Sequence, residues 1–342
     1  MRRKRAPAFP PLALDGISSY PLASRRSQVT LRDFARPLER GASVAELLDS
    51  LPRILAGESL RQAAADLRRA RTRKKPIVWG LGAHVLKVGL SPILIDLMER
   101  GFVTGLALNG AGIVHDFELA VAGQTSEDVA AGLGSGAFGM ARETGEEINR
   151  AIVAGDRDGL GIGASVGRYL TRRKPRHLEV SLLAAAHRLG LPATVHVAIG
   201  TDIIHMHPAC DPAAVGRGTH LDFRILAAQV ARLGGGGAYL NVGSAVLLPE
   251  VFLKAVTLAR NLGHAIKDFT TLNLDFIQSY RPHMNVVTRP TQGVGRGISL
   301  TGHHEILVPL LAAALIASAG AGPGPRRPSS RGVARRRKPP AA

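Results

Sequence analysis

The sequence predicts a doubly wound α/β fold with a mostly parallel sheet and a helical N-terminal lead-in. Short apolar runs, such as residues 77–79 and 103–108, each enter a glycine-rich turn and then a segment with helical periodicity. The chain of 342 residues is 45% hydrophobic and contains 39 glycines, which suits a packed domain with many tight turns. Strands that alternate with helices in this way predict a central parallel layer with helices on both faces.

Each segment of the chain has its own pattern. Residues 1–15 are predicted to be a disordered basic arm, and residues 16–74 a helical extension in which Ser43 and Glu46 have capping-box spacing. The α/β domain is predicted to cover residues 75–318, followed by a disordered basic Pro/Gly/Arg tail at 319–342. Later strands are predicted within residues 193–198, 238–242, 269–276 and 285–287, and a buried helix over 305–318 closes the domain.

The formal net charge of +18 lies mostly at the two ends of the chain. Residues 1–10 contain four basic residues and residues 321–342 contain seven, with no acidic residue in either segment. A further basic run covers residues 71–75. Since no RNA-recognition, zinc-finger or helix-turn-helix pattern accompanies this charge, nucleic acid is expected to bind only non-specifically, through the tails.

The single cysteine, Cys210, excludes a disulfide framework and favours a reducing, cytoplasmic compartment. The best candidate for a membrane span, residues 306–317, is too short and contains Pro309. The basic N-terminus is followed by prolines instead of an apolar run, so no secretory signal is predicted. We therefore expect a cytoplasmic protein with no membrane partner.

Several glycine turns follow predicted strands and mark the candidate ligand-binding edge. In an open parallel sheet, ligands bind outside the carboxyl ends of the strands, where helix N-termini favour phosphate or carboxylate groups. None of these turns has the GxGxxG pattern, since Gly80 and Gly82 are followed by Val85 where a third glycine is needed. The candidate cofactor-binding residues in these turns are Gly82, Gly110, Ala111, Gly112, Thr201, Asp202, Gly243 and Ser244.

Histidines are concentrated in the same turns, which hold His84, His115, His205, His207, His220, His303 and His304 of the twelve in the chain. We expect His84, His115, His205 and His303 to converge in one pocket, because parallel strands deliver their following loops to one edge. Whether this pocket holds a metal or uses imidazoles as acids and bases is open. The candidate catalytic residues are His84, His115, Asp116, His205, His303 and Glu305, and the candidate metal ligands are His205, His207 and His304.

Five segments, in order, resemble deoxyhypusine synthase over roughly residues 75–316. They are residues 76–96 with the turn GLGAH, 103–120 with ALNGAGIVHDFE, 191–207 with VAIGTDIIHMH, 222–244 with GGGGAYLNVG, and 300–314 with LTGHHE. The resemblance implies a Rossmann-like fold that binds NAD at the glycine turns named above and at a further small-residue turn, Thr301 and Gly302. It also implies a small polyamine-type substrate and a homotetramer whose active sites lie between paired subunits.

One position departs from the family in a way that changes the expected chemistry. The family's nucleophilic lysine lies in a segment that corresponds to residues 291–300, which contain Arg296 and no lysine. Arginine stays protonated and cannot form the imine that lysine forms. The paired acids of the family are replaced by His115 and Asp116. The chain resembles a divergent, bacterial-type member with a histidine-rich pocket, and we predict that it does not make deoxyhypusine.

The sequence thus predicts an enzyme of the transferase or oxidoreductase type. It would bind NAD or a related dinucleotide and act on a small amine or polyamine by redox or group transfer. Two alternatives are open at this point. One is a metal-dependent enzyme with a histidine–carboxylate site, and the other is a non-enzymatic protein that binds RNA or acidic partners through its basic tails.

Overall fold

Six parallel strands form one sheet in the computed structural model, which describes residues 9–317. Their spatial order is β3-β2-β1-β4-β5-β6, the order of a Rossmann-type sheet. Successive strands are added on one side of β1 up to β3 and on its other side from β4 onward, so the strand order reverses between β1 and β4. The doubly wound parallel fold predicted from the sequence is confirmed. The strands are β1 (Ile77–Leu81), β2 (Gly105–Asn109), β3 (Ala193–His196), β4 (Ala238–Val242), β5 (Thr270–Asp275) and β6 (Arg296–Thr301).

Helices connect successive strands and cover both faces of the sheet. Two helices precede the first strand, and the longest connection, between β2 and β3, contains five. The helices are α1 (Val44–Ser50), α2 (Leu55–Thr72), α3 (Ala83–Lys87), α4 (Ser91–Glu99), α5 (Gly110–Ala122), α6 (Val129–Leu133), α7 (Arg142–Arg157), α8 (Ile162–Arg173), α9 (Leu182–Leu189), α10 (Pro212–Val230), α11 (Leu247–Asn261), α12 (Tyr280–Pro282) and α13 (His304–Ala317).

The sheet is buried on both faces, as a parallel sheet requires. Successive residues of β1 show this, because Trp79 packs into one hydrophobic cluster and Val78 into the other. The Trp79 indole nitrogen donates to the Phe102 carbonyl oxygen over 3.1 Å, so this buried ring leaves no unpaired donor. The two clusters therefore lie on opposite faces of the sheet.

The helical lead-in is joined to the sheet through α2. The predicted capping box is present at α1, where Glu46 Oε2 accepts from the Ser43 N–H over 2.7 Å and Ser43 Oγ accepts from the Glu46 N–H. In α2, the buried Asp66 carboxylate accepts from Thr270 Oγ1 of β5 over 3.0 Å. The side chain of Leu67 is 2% exposed in the same core as the sheet. Helix α2 is therefore packed as part of the α/β core.

The predicted strand at 285–287 is wrong. The segment is helical: α12 continues into a π-helix over His283–Thr288. Two adjacent valines favoured a strand, but the Asn285 side chain donates to Glu250 of α11 and draws this segment onto the sheet's helical layer. The last strand is instead β6, which begins with Arg296 and Gly297 and lacks the continuous apolar run expected of a buried strand. It lies at the edge of the sheet.

The predicted C-terminal tail, 319–342, and residues 1–8 of the basic arm lie outside the described residues. Within residues 9–317, no helix has the length and apolarity needed to cross a bilayer.

Replacing Gly82 by alanine is expected to destabilise the fold by about 1–3 kcal/mol, because the new methyl group would overpack a closed turn. An ideal Cβ on Gly82 lies 2.0 Å from the Gly243 carbonyl oxygen, so β1 and β4 would have to separate there. Chemical denaturation measures the change. Gly216→Ala in α10 is the matched control, because its Cβ meets nothing within 4 Å, and helix propensity predicts up to about 1 kcal/mol of stabilisation. Equal effects of the two variants would contradict the packing argument.

Candidate active site

The strand order reverses between β1 and β4, and in this topology ligands bind in the crevice outside the carboxyl ends of those strands. Gly82 follows β1, and its N–H donates to the Val242 carbonyl oxygen of β4 over 2.8 Å. Gly243 follows β4 with a φ of +71°, a conformation that glycine adopts at little cost. Ser244 lies next, and its Oγ accepts from the Leu248 N–H at the start of α11 over 3.2 Å. Three of the predicted cofactor-binding residues therefore line this crevice.

His304 is the buried histidine beside this crevice and is 1% exposed. Its Nε2 lies 3.3 Å from the Leu274 carbonyl oxygen, which can only accept, so Nε2 carries the proton. Nδ1 is then an acceptor, and it is buried without a partner. Burial lowers the pKa of His304, although the nearby Asp275 carboxylate opposes this. The ring is therefore neutral near pH 7 and presents a bare acceptor.

Other predicted residues surround His304. The His84 ring lies 5.7 Å from the His304 ring, and Phe276 stacks on His303 at 5.9 Å. His303 is exposed, and its Nδ1 lies 3.9 Å from Glu305 Oε1. Thr301 and Gly302 form the turn that leads into α13. The crevice thus gathers the predicted residues that follow β1, β4 and β6.

A chain of buried side-chain amides joins the carboxyl ends of three strands in the same region. Asn241 of β4 donates to the Asn273 Oδ1 of β5 over 2.8 Å, and Asn273 donates to the Gln278 Oε1 over 2.7 Å. Gln278 in turn donates to the Leu300 carbonyl oxygen of β6 over 3.2 Å. The Asn241 Oδ1 is buried without a donor. Sequence reasoning missed this chain, because asparagine in a strand gives no periodic signal.

His115 lies in α5 and is oriented by a relay of hydrogen bonds. Its Nδ1 is 2.7 Å from Thr125 Oγ1, and Thr125 Oγ1 donates its single proton to Glu118 Oε2 over 2.5 Å. Thr125 must therefore accept from His115, so Nδ1 carries the proton and Nε2 is an unprotonated base. Burial lowers the pKa of His115, Glu118 partly offsets this, and Lys87 lowers it further. The imidazole is therefore neutral near pH 7 and suited to accept a proton.

A cavity of about 240 Å³ adjoins this histidine. Three carboxylates line it, from Glu118, Glu127 and Asp202, against one ammonium group from Lys87. With His115 neutral, the cavity is net negative in a chain whose formal net charge is +18. Glu118 was predictable, since it lies three residues from His115 on one helical face, whereas Thr125, Glu127 and Lys87 were not identified from the sequence.

Asp202 closes the cavity against the N-terminus of α5. Its Oδ2 lies 2.0 Å from an ideal Cβ on Gly110, so only glycine fits beside it, and this oxygen is buried without a donor. Burial raises the pKa of Asp202, and the neighbouring His205 partly lowers it. Ala111 and Thr201 also line the cavity. The Gly112 N–H donates to Asn109 Oδ1 over 2.9 Å and so belongs to the helix cap.

The four histidines expected in one pocket do not share one. Of these four, only His115 lines the described cavity. His84, in the helix after β1, packs instead against His304, in the helix after β6. His205 lies beside the cavity, and its Nδ1 accepts from the Gly200 N–H. Strands lie about 4.8 Å apart, so the turns after β3 and β6 are at opposite ends of a six-stranded edge. The edge is shared, as predicted, but it is too wide for a single pocket.

Two groups of candidates have other environments. Asp116 is fully buried, and its carboxylate accepts from Ser181 Oγ over 2.6 Å and from the Leu182 N–H over 2.7 Å, which caps α9. Asp116 is thus a structural group and does not line the cavity beside His115. The predicted metal ligands are not assembled, because His205 and His207 are on the β3 side and His304 is in the crevice. Across residues 9–317, no three His, Cys, Asp or Glu side chains come together at metal-binding distances.

Arg296, at the position that corresponds to the family's lysine, lies at the amino end of β6. Its guanidinium is 3.0 Å from the buried Asp66 Oδ2 of α2. The ligand-binding edge is the opposite, carboxyl edge, so Arg296 has a structural ion pair and no place in the candidate site.

No protein-family model and no curated protein matches the chain. The structure is similar to a crystal structure of the ternary complex of AgrE with ornithine and NAD+, with a TM-score of 0.51 and 15% identity over 75% of this chain. The chain spans 32% of the length of AgrE. A putative LOR/SDH protein from Methanococcus maripaludis S2 matches with a TM-score of 0.51 and 12% identity, over 78% of this chain and 71% of that one.

A putative deoxyhypusine synthase from Entamoeba histolytica also matches, with a TM-score of 0.48 and 10% identity, over 83% of this chain and 96% of that one. The AgrE and LOR/SDH matches, each with a TM-score of 0.51, show that the chain is similar in fold to those two proteins, and the likeness is one of fold alone.

Proposed function

We propose that this protein is a dinucleotide-dependent enzyme that oxidises a small amine. The observation that carries the proposal is the acidic cavity in a strongly basic chain, with an oriented, unprotonated histidine at its wall. An amine is protonated near pH 7, so net negative walls favour it over acids and neutral molecules. A neutral imidazole then provides the base that amine oxidation needs.

The switch point between β1 and β4 is where a dinucleotide would bind. Gly82 and Gly243 let the turns after β1 and β4 approach each other closely, and dinucleotides bind at this switch point in folds of this topology. The buried, bare acceptors His304 Nδ1 and Asn241 Oδ1 suit ligand donors such as ribose hydroxyls or a carboxamide. When bound, the dinucleotide would accept a hydride from the carbon that carries the amine. The NAD+ in the AgrE structure supports this fold's use for such a cofactor.

The residues of the cavity divide the remaining work between binding and proton transfer. The bare Asp202 Oδ2 accepts from the substrate nitrogen and, together with Glu127, neutralises its charge. His115 Nε2 takes a proton from that nitrogen as the carbon–nitrogen double bond forms. Thr125 and Glu118 are positioning residues, which hold the imidazole in the tautomer that leaves Nε2 bare.

The proposal includes the polyamine-type substrates and the homotetramer that the deoxyhypusine synthase resemblance implies. Apolar side chains beside the cavity support a partner subunit there, since Val129 lines the cavity and is 47% exposed, and Leu133 is 66% exposed. Light scattering tests the oligomer, and a monomer at working concentrations would contradict a site shared between subunits.

The experiment mixes the purified chain with NAD+ and a panel of ornithine, putrescine and spermidine, and follows the near-ultraviolet absorbance of reduced nicotinamide. We expect reduction with at least one amine and none with the matched carboxylic acids. Asp202→Asn should raise KM for the amine by about tenfold with a smaller change in kcat, because it removes charge from the binding wall. Reduction that is equally fast with acids and amines would overturn the proposal.

A further inference from the structure

A second opening lies at the amino edge of the sheet, opposite to the candidate active site. It is a groove of about 720 Å³ bounded by the segment between α2 and β1 and by the C-terminal half of α10. Four basic residues line it, Arg71, Lys74, Lys75 and Arg232, and no acidic residue does. The basic run that stood out at 71–75 in the sequence therefore forms one wall of a defined groove.

These four cations differ from their neighbours in having no acidic partner. Arg69 and Arg73 pair with the Asp268 carboxylate at 3.5 and 3.4 Å. In the part of the chain that the structure describes, no carboxylate lies within ion-pair distance of the four groove cations, although Arg71 lies 4.8 Å above the Phe102 ring. The wall thus holds positive charge that the fold leaves uncompensated.

A buried amide adds a second, independent requirement. Gln229 lines the groove, and its Nε2 is buried without an acceptor. Ammonium, guanidinium and amide NH2 groups are all donors, so the groove calls for a ligand that is anionic and rich in acceptors. The ligand preference of the groove is therefore opposite to that of the acidic cavity, where the unpaired Asp202 oxygen favours a ligand with hydrogen-bond donors.

The floor of the groove is apolar and limits the kind of anion that fits. Pro76, Pro192, Ile225 and Ala228 form it. A bare inorganic anion would leave these surfaces in water, whereas a planar base would cover them. The volume also lies in the range of small-molecule sites.

We propose that this groove binds a nucleoside phosphate, with the phosphates against Lys74 and Lys75 and the base on the apolar floor. The site is separate from the dinucleotide crevice, since ligands of the active site meet the carboxyl ends of the strands and this groove faces their amino ends. Its ligand therefore binds without displacing substrate.

Titration calorimetry with ADP, adenosine and pyrophosphate tests the proposal on the full-length chain. We expect ADP to bind more tightly than either fragment, because only ADP has both phosphate and base. The double variant K74E/K75E should weaken ADP binding by about tenfold or more, which corresponds to about 1.4 kcal/mol or more. K74R/K75R should retain binding, and Gln229→Leu should weaken it while leaving unfolding cooperative.

Arg224→Glu is the control for diffuse charge attraction, since it reverses one charge on α10, half the change in K74E/K75E, at a residue that does not line the groove. Binding of ADP that falls equally in Arg224→Glu would show diffuse attraction and overturn the proposal. So would ADP binding that K74E/K75E leaves intact, which would place the ligand in the dinucleotide crevice. A short oligouridine whose binding is lost in K74E/K75E, and which ADP does not displace, would assign the groove to RNA and overturn the proposal. Because calorimetry needs no turnover, the result is independent of the proposed amine oxidation.

Discussion

Substitution of His115 by glutamine is expected to lower kcat for amine oxidation by about a hundredfold to ten-thousandfold, the usual contribution of a positioned general base. Glutamine keeps a polar side chain of similar reach but has no basic nitrogen. The amine's proton then has no acceptor at the point where His115 Nε2 stands. Steady-state formation of reduced nicotinamide measures the effect, and KM for the amine should change little, because the carboxylates that bind it are intact.

The pH profile distinguishes a base from a merely structural histidine. Burial lowers the pKa of His115, so activity in the wild type should rise with pH through a value below the ordinary histidine value and then level off. That limb should be absent in His115→Gln. A variant that loses activity but keeps the limb would show that another group is the base.

The relay behind His115 gives a second way to test the same base. Thr125→Val removes the oxygen that accepts from Nδ1–H, so the imidazole is no longer held in the tautomer with a bare Nε2. We expect kcat to fall by about tenfold to a hundredfold with KM unchanged. His264→Gln, on a residue in the exposed turn after α11, is the control and should have no effect on kcat.

The fold was predictable because its pattern is repeated and local. Each buried strand from β1 to β4 has a short apolar run, and each is followed by a turn and a helix that the same rules identify. In β5 leucines alternate with polar residues, and the helical segment after it was not predicted. Strand β6 was missed because it pairs on one side only and begins with Arg296 and Gly297, so burial does not demand an apolar run there. The valines at 286–287 misled the prediction because their π-helix depends on a distant contact with Glu250.

The site was predictable as an edge but not as a set of partners. Sequence order shows that His84, His115 and His304 follow strands, and topology brings such residues to the same edge. Which histidine meets which group depends on strand order in space, and the sequence does not reveal that β4 neighbours β1. Asp116 shows most clearly what the sequence does not reveal. It is adjacent to His115 in sequence, but its side chain lies on a different side of α5 and caps α9.

The largest expected effect on stability concerns Asp222 of α10, whose carboxylate is fully buried. Its Oδ2 accepts from the Gly163 N–H over 3.0 Å and the Val195 N–H over 2.8 Å, which joins the start of α8 to β3. Its Oδ1 is buried without a donor. Burial raises the pKa of Asp222 to about 7 from an ordinary value of 3.8, although the backbone donors oppose the shift.

This shift makes the free energy of unfolding depend on pH in a definite direction. Between pH 4 and 7 the folded protein holds the Asp222 proton and the unfolded chain has released it, so the contribution of Asp222 to stability falls as pH rises through this window. A shift of about three units corresponds to about 4 kcal/mol in total. Asp116, whose pKa burial raises to about 6, adds to the slope in the lower part of the window.

Asp222→Asn is expected to remove most of this loss and to stabilise the protein near neutral pH by up to about 4 kcal/mol. The amide oxygen can accept from Gly163 and Val195, and the NH2 group takes the position of Oδ1, where no donor opposes it. The same change at Asp116 has no such place, because both of its oxygens accept hydrogen bonds. Asp222→Ala leaves two buried N–H groups unpaired and should destabilise the protein by about 2–5 kcal/mol.

Denaturation series at pH 4, 6 and 8 distinguish these outcomes. The stability of Asp222→Asn relative to the wild type should increase from pH 4 to 8. The contributions of Asp116 and of the buried His196, whose pKa burial lowers to about 4 and which acts in the opposite direction, are common to both proteins and cancel in this difference. Asp156→Asn is the control, because its carboxylate forms an exposed pair with Arg217, and such a pair contributes at most about 1 kcal/mol. A difference between the wild type and Asp222→Asn that stays constant from pH 4 to 8 would show that Asp222 is ionised when buried, and that its backbone donors outweigh the cost of removing the charge from water.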